Sequence, residues 1–214
     1  MFKLDNIIVC VPTLLWLVLL SVSVVLVLGA CSPEKKSDEI IQKTIAGKKL
    51  CIPASYLNRG DDPSTETLLL TVMYPDMSPQ IKTWKELKET NEYYKRIGLM
   101  LSPKTHKDSM KKIVEGQLKS PVLPPVVGAL DSLVHRTHPK DYNGAALDLY
   151  MDEISYASVI SCTMKETDFD VPQCTQNFDD NDLMYRASYE KKILNEQNSI
   201  REKILFFINS LTCQ

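Results

Sequence analysis

The sequence predicts an α+β fold, in which a mostly antiparallel sheet carries a C-terminal amphipathic helix packed on one face. Short apolar runs alternate with turn-forming residues along the chain, and the clearest helical pattern lies at the C-terminal end. Strands that follow one another before a terminal helix are typical of α+β domains. Four cysteines beyond residue 31 add the expectation of two disulfides.

The strands are predicted from apolar and β-branched runs that end at proline, glycine or acidic turns. They are expected at Lys49–Pro53, Thr65–Met73, Arg96–Leu101, Ala146–Met151 and Ser158–Lys165, followed by a hairpin of Gln173–Phe178 with Leu183–Tyr189. Residues 111–118 are a further strand candidate, and residues 83–95 form either a short helix or a solvated segment. Residues 119–145 are predicted to be loop-rich because they contain Pro121, Pro124 and Pro125.

The last helix is predicted over 196–211 from one apolar stripe. Its members recur every three or four residues, which is the spacing of one helix face: Ile200, Ile204, Phe207, Ile208 and Leu211. Asn195 is the expected N-cap, since its side-chain oxygen can accept a hydrogen bond from a free backbone N–H of the first turn. We expect this helix to pack across the sheet.

The first 30 residues have the pattern of a secretion signal. No charged residue occurs from Ile7 to Ala30, and this run ends at Leu28-Gly29-Ala30-Cys31. That ending resembles a bacterial lipobox, which implies that Cys31 carries lipid as the first residue of the mature chain. The alternative is an uncleaved signal anchor, because the run is long enough to span a bilayer. Both interpretations place the remainder outside the cytoplasm, and Ser32 in place of Asp favours the outer membrane.

The chain is therefore predicted to consist of a signal peptide (1–30), a tether (31–48) and a single globular α+β domain (49–214). The tether is polar and charged, with a short helix expected at 37–45. The net charge of −2 gives no argument for a nucleic acid partner, which usually requires a basic patch or a high pI. No metal or other cofactor is expected.

Four cysteines remain once Cys10 leaves with the leader and Cys31 is acylated, and four cysteines allow three pairings. Cys162 and Cys174 lie on either side of a polar stretch and could join a hairpin. Cys51 would then bond to Cys213 and connect the first strand to the C-terminal end. An exported chain reaches an oxidising compartment, where disulfides form and persist.

The sequence contains no nucleophile elbow, phosphate-binding loop, dinucleotide-binding motif or zinc-protease motif. His135 and His138 lie three residues apart, but Pro139 follows and no cysteine or carboxylate stands at a familiar metal spacing. We interpret both histidines as loop residues. An enzyme would need a triad assembled from distant positions, such as Ser158 or Ser161 with one of these histidines and an aspartate.

The acidic turn of Asp179, Asp180 and Asp182 suits a hairpin, and its oxygen ligands also suit calcium, although the glycine and later glutamate of an EF-hand are missing. An exposed acidic tip could dock into a positive cleft of a partner. These residues, together with Asp61 and Asp62 in an earlier turn, are the candidate partner-binding residues.

Four large side chains that are close in sequence suit either an interface or a core, and we favour the core: Met77, Trp84, Tyr93 and Tyr94.

Three stretches resemble a known group of proteins. The first is Ile52-Pro53-Ala54-Ser55-Tyr56-Leu57 followed by Leu68 to Pro79, which reads IPxxYL…LxLxxxYPDMxP; the others are Asp148 to Met151 and the closing strand and helix, Met184 to Leu211. They resemble small envelope lipoproteins of Gram-negative bacteria, several of which are immunity proteins against type VI secretion effectors, notably phospholipase toxins of the periplasm. The usual glycine-leucine-aromatic piece before the middle strand is replaced here by His138 to Tyr142.

The resemblance implies a lipid-anchored protein of the cell envelope that binds and neutralises a cognate toxin, with the membrane as its second partner through Cys31. The alternative is a structural or assembly lipoprotein of an envelope complex. The resemblance carries no toxin-contacting residues, because such contacts diverge with each toxin.

Overall fold

The computed structural model describes residues 39–62, 64–119, 124–126, 130–138, 146–164 and 172–213. The predicted signal peptide, the predicted lipidation site Cys31 and the first part of the predicted tether lie outside these residues. Within the described ranges, no helix combines the length and the apolar character needed to cross a membrane.

The described residues form one large antiparallel sheet. Its strands are β3 (Leu68–Met73), β4 (Ser78–Pro79), β5 (Arg96–Pro103), β6 (Val134–His138), β7 (Leu147–Met151), β8 (Val159–Thr163), β9 (Gln173–Asp180) and β10 (Leu183–Glu190). They are arranged in the order β4-β3-β5-β10-β9-β8-β7-β6. A separate ribbon consists of β1 (Ile40–Ile45) and β2 (Lys48–Pro53). The helices are α1 (Trp84–Glu89), α2 (Ser109–Lys119) and α3 (Gln197–Ser210), with short 3-10 helices at Ala54–Tyr56, Tyr93–Lys95 and Lys191–Glu196.

The main core lies between the sheet and α3, as expected. Side chains alternate along the strands, so the buried Tyr185 of β10 lies on the α3 side and stacks on Phe178 of β9 with ring centroids 5.0 Å apart. The apolar stripe of α3 supplies Ile200, Ile204 and Ile208, each fully buried. The predicted mostly antiparallel α+β fold with a C-terminal helix packed on the sheet is confirmed.

The predicted N-cap at Asn195 is wrong. Asn195 belongs to the 3-10 helix Lys191–Glu196, and Glu196 is the residue before α3. No side chain caps this end, because the preceding 3-10 turn leads directly into the helix.

The β1–β2 ribbon includes residues that the sequence assigned to the tether, and the helix expected at 37–45 is wrong for its described residues. The two strands are joined by Ala46 (φ 48°) and Gly47 (φ 78°), the pair of positive φ angles of a type I′ turn. Ile45 is fully buried and Lys43 is 8% exposed, so the strand has an inward face despite its polar composition. The paired chain therefore starts by Ile40, before the expected domain boundary at Lys49.

Both disulfides join the cysteines in the pairing that the sequence favoured. Cys162 and Cys174 lie directly opposite each other on β8 and β9. Cys51 of β2 bonds to Cys213, 162 residues further along the chain. There the C-terminal tail runs beside β2, since the Cys51 N–H donates to Leu211 O at 2.8 Å and the Cys213 N–H to Lys49 O at 3.0 Å.

Two other secondary-structure predictions are wrong. The strand candidate at 111–118 lies in helix α2, where Met110 and Val114 are one turn apart and pack on a second core with Leu149, Met151 and Val159. The loop expected through 119–145 is interrupted by β6, which carries His135 and His138 and pairs with β7. Each error has the same cause: a short segment takes its structure from the sheet that it covers or extends.

Glu190, at the end of β10, is a buried carboxylate with an unusual environment. It is 3% exposed, and neither carboxylate oxygen has a hydrogen-bond partner. Burial raises its pKa, although the nearby Lys192 acts in the opposite direction. The folded protein therefore binds this proton more tightly than the unfolded chain does.

We expect the variant Glu190→Gln to gain stability relative to the natural chain as pH rises. Because the pKa is raised on folding, deprotonation of Glu190 lowers the free energy of unfolding as pH rises above the ordinary glutamate value of about 4.3. Urea unfolding at pH 4 and at pH 7 measures the difference. A difference that is the same at both pH values would contradict the prediction.

Candidate partner-binding surface

Asp61, one of the candidate partner-binding residues, lies inside the fold. Its carboxylate contacts Lys43 of β1 at 3.2 Å, and the two side chains are 7% and 6% exposed. It also accepts a hydrogen bond from the Leu69 N–H at 2.8 Å. Asp61 thus connects β1 to the start of β3, a use that leaves it little surface for a partner.

Asp62 is exposed and organises its own turn. Its Oδ1 accepts hydrogen bonds from the Ser64 N–H at 2.8 Å and from the Ser64 hydroxyl at 2.7 Å. The hydroxyl bond, the backbone bond and the charge of Lys43 lower the pKa of this carboxyl despite some desolvation. Asp62 stays ionised on the surface, and its partner role stays a prediction.

Two of the three acidic residues of the β9–β10 hairpin have side-chain partners. Asp179 forms an ion pair with Lys104 at 2.5 Å, and Asp180 accepts a hydrogen bond from Asn181 at 3.0 Å. The exposed Asp182 faces a small cavity that is also lined by Lys104 and Lys107. Lys104 therefore offsets the charge of Asp179, whereas Asp180 and Asp182 form no ion pair among the described residues.

A different surface lies along the outer side of β3, which we name the β4-edge surface: Arg59, Gln80, Ile81, Lys82, Trp84 and Arg96. These residues line an open cavity of about 560 Å³. Two segments border the cavity. One is β4, which pairs with Val72 and Met73 of β3, and the other is residues 57–58, which pair with the first half of the same strand.

The segment that carries β4 is held firmly against the rest of the fold. Tyr74 is 7% exposed, its N–H donates to Lys95 O at 2.7 Å, and its hydroxyl donates to Glu196. The peptide bond between Tyr74 and Pro75 is cis, and the Lys203 ammonium of α3 donates a hydrogen bond to Pro75 O at 2.9 Å. The start of the segment that leads to Gln80 and Ile81 is therefore held by contacts with the 3-10 helix Tyr93–Lys95, with Glu196 and with α3.

Arg96 is the most deeply placed cation of this surface. It lies opposite Met73 in the β3–β5 register, and its Nε donates to Gln80 Oε1 at 2.8 Å. Burial lowers the pKa of its guanidinium. In the described part of the chain, neither Arg96 nor the exposed Arg59 forms an ion pair.

Lys82, the third cation, already has a carboxylate partner in Glu92, which lies outside the cavity lining. Hydrogen bonds from Lys82 and Thr90 lower the pKa of Glu92 to about 2. None of the described residues that line the cavity carries a carboxylate. The unbalanced positive charge of the cavity therefore comes from the two arginines.

Exposed apolar side chains stand at the rim of the cavity. Ile81 is 89% exposed and Trp84 is 47% exposed. Trp84 is positioned by an edge-to-face contact with Tyr93 at 6.2 Å and by Lys88 over its ring at 5.7 Å. Of the large side chains expected in the core, Met77 is buried, with 5% of its surface exposed, whereas Trp84 is exposed to solvent.

Helix α1 holds Trp84 at its first position. Thr83 and Glu86 form a capping box, in which the Glu86 N–H donates to Thr83 Oγ1 at 3.3 Å and the Thr83 N–H donates to the Glu86 carboxylate at 2.7 Å. Leu87 anchors the other side of this helix in the interior.

A second cavity of about 600 Å³ lies between α3 and the cis-proline segment. Its walls are mainly apolar and include Tyr56, Met77 and Phe207, and Phe206 stands beside them with 79% of its surface exposed. Both cavities open near the 3-10 helix Ala54–Tyr56, which contributes a residue to each.

His135 has an aspartate partner but no nucleophile. Its Nε2 lies 2.9 Å from Asp148 Oδ1, and its ring stacks on Tyr150 at 4.5 Å. Ser158 instead accepts a hydrogen bond from the buried Gln176 at 3.2 Å. Among the described serines, threonines and cysteines, none hydrogen-bonds to His135, so the structure does not assemble the triad considered from the sequence.

His138 is buried on the same strand, with an Nδ1 atom that has no hydrogen-bond partner. No group of three or more histidine, cysteine or acidic side chains in the described ranges is arranged to hold a metal ion.

Sequence reasoning did not single out Arg59 and Arg96. The available signal was a pair of arginines on segments that flank the Tyr74–Pro79 motif, but their proximity depends on the β3–β5 register, which sequence alone does not establish.

No protein-family model matches the chain, and no curated protein matches it significantly. The fold is similar to that of Smlt3025, an immunity protein of the Stenotrophomonas maltophilia type IV secretion system, with 16% identity, a TM-score of 0.56 and coverage of 83% of this chain and 94% of that one. The iron-regulated outer membrane lipoprotein FrpD of Neisseria meningitidis is more distant, with 12% identity, a TM-score of 0.48 and coverage of 80% and 93%.

Proposed function

We propose that this chain is an immunity lipoprotein of the cell envelope, which binds a protein toxin delivered by neighbouring bacteria and neutralises it outside the cytoplasm. The observation that carries the proposal is the β4-edge surface, where exposed tryptophan, isoleucine and unpaired arginine side chains surround one cavity. Tryptophan and arginine are enriched among the residues that dominate binding energy at protein interfaces.

The scaffold supports the same proposal. Two disulfides and an antiparallel sheet hold the surface loops in one arrangement, which reduces the entropy lost on binding. A neutralising protein needs no chemistry of its own, because covering the active site of the toxin is sufficient. The fold similarity to a secretion-system immunity protein agrees with this role.

The resemblance noted in the sequence extends the proposal to a toxin of the type VI, phospholipase class, whereas the solved immunity protein belongs to a type IV system. Lipid on Cys31 would attach the domain to the outer membrane and keep it in the compartment where such a toxin acts.

We expect a mutant that lacks this gene to be killed on contact with its parent strain. The parent secretes the toxin and the mutant has no neutralising protein, so supplying the chain in trans should restore survival. Counting surviving mutant cells after mixed growth measures the effect, and parents without the type IV or the type VI apparatus identify the delivery route.

A mutant that survives contact with a parent whose secretion is verified would overturn the immunity proposal. If that mutant also grows poorly without any competitor, the result would favour a structural or assembly role in the envelope.

A further inference from the structure

We infer that the β4-edge surface binds the toxin through a carboxylate side chain, which enters the cavity between Arg59 and Arg96 while an adjacent apolar residue packs on Ile81 and Trp84. This inference rests on the proposed function and specifies the chemistry of the partner.

The first support is the state of Arg96. A partly buried guanidinium loses hydration, and without a carboxylate partner that loss is not offset. Its Nε donates to Gln80, whereas its terminal nitrogens form no hydrogen bond with the described residues and are available to a partner in the cavity that Arg96 lines. A carboxylate from a bound protein could accept two parallel hydrogen bonds from such a group, which is a strong and directional contact.

The second support is the balance of charge around the cavity. Lys82 and Glu92 neutralise each other, and Glu86 is engaged in capping α1. Arg59, which stands on the opposite border from Gln80, adds a second unpaired guanidinium to the lining. The cavity therefore offers a localised positive charge to an anionic group.

The third support distinguishes a protein carboxylate from a free anion such as phosphate. A small anion would use the arginines alone and would leave the apolar rim in water. Ile81 and Trp84 are both large and exposed, and apolar side chains of this kind gain binding energy when a partner covers them. A protein segment with an aspartate or glutamate beside an apolar residue uses both features.

The acidic candidates fit this assignment of charge. Asp61 and Asp179 already have lysine partners within the domain, at 3.2 and 2.5 Å. At the cavity of the β4-edge surface, the ionic groups without a carboxylate partner among the described residues are the two arginines, so the charge that this chain presents to the toxin there is positive.

The test complements the deletion mutant with variants of the full chain. Arg59→Gln with Arg96→Gln removes both charges and keeps long polar side chains, and Arg59→Glu with Arg96→Glu reverses them. The matched control is Lys111→Glu with Lys112→Glu on α2, where both lysines are half exposed and pair with Glu115 and Asp108, and Lys111 also lies over the Tyr156 ring at 5.8 Å. Immunoblots and thermal unfolding establish that each variant is present and folded.

We expect the control to protect like the natural chain and both arginine pairs to fail. Full protection by the folded Gln pair would overturn the inference while leaving the proposed function intact. If the deletion mutant is not killed at all, the proposed function fails, and the second measurement then decides only whether the cavity is a carboxylate site.

The second measurement follows the arginine Nε–Hε NMR signals of the full-length protein, purified in detergent, during titration with acetyl-Glu-Leu-amide. Saturable shifts of the Arg59 and Arg96 signals, absent with acetyl-Gln-Leu-amide and in the Gln pair, support a carboxylate site. Shifts with inorganic phosphate alone, or no shifts with either probe, would overturn it.

Discussion

Replacing Cys51 and Cys213 with alanine is expected to lower the free energy of unfolding by about 5 kcal/mol. The bond closes a loop of 162 residues, and in the chain-entropy model the stabilisation grows with the logarithm of loop length, reaching about 4.7 kcal/mol for a loop of about 100 residues. Urea unfolding of the oxidised natural chain and of the double variant, both without reductant, measures the difference.

The Cys162–Cys174 bond provides the comparison, since it spans a separation of only 12 residues. The same model assigns it about 3 kcal/mol, and both cysteines are fully buried, so alanine there also loses some packing. If removing the Cys51–Cys213 bond cost less than the value of about 3 kcal/mol that the model assigns to the short loop, the entropic explanation would not hold for this bond.

The strands and the last helix could be predicted because their signals are local. The apolar stripe from Ile200 to Leu211 has helical spacing. The β9–β10 hairpin consists of two sequence runs that are joined by the turn at Asn181 and Asp182. Each of these segments carries its own apolar face. The interior therefore forms when the apolar faces of these segments, which can be predicted from the sequence, pack against one another.

β1 was missed because its inward face contains a charge. Lys43 points toward the interior between Ile41 and Ile45, and in the sequence it interrupts the alternation of polar and apolar residues. Asp61, which pairs with the buried Lys43, lies 18 residues away, so this ion pair could not be predicted from the local sequence of β1. The turn at Ala46 and Gly47 also lacks the Asn or Asp that usually marks a type I′ turn.

The sequence also could not indicate which acidic residues are paired within the fold, for a similar reason. Asp61 and Asp179 look available in the sequence, but lysines from distant segments pair with them. Arg96 looks like an ordinary strand residue, yet the fold places it beside Gln80 and the cavity without a carboxylate. Which charges stay unpaired is a tertiary property.

The second large effect is expected at Asp148, whose substitution by alanine should lower the free energy of unfolding by about 2 to 3 kcal/mol, because it removes the hydrogen bonds of a carboxylate to two partly buried partners. Asp148 is 6% exposed and contacts the Lys191 ammonium at 2.5 Å and His135 Nε2 at 2.9 Å. Its loss leaves the partly buried Lys191 and His135 side chains without this carboxylate partner. Asp108→Ala is the matched control, because its contact with Lys112 is exposed and such pairs contribute little.

The pH dependence of this difference separates an ionic role of Asp148 from a packing role. Burial opposes ionisation of Asp148, but the hydrogen bonds from Lys191 and His135 outweigh it and lower the pKa. A carboxyl whose pKa is lowered on folding stabilises the fold at neutral pH and loses that contribution as pH falls below about 4. The gap between the natural chain and Asp148→Ala, measured by urea unfolding, should therefore narrow from pH 7 to pH 3. A gap that stays constant over this range would mean that Asp148 acts by filling space, and the double variant Asp148→Leu with Lys191→Met would then be as stable as the natural chain at every pH.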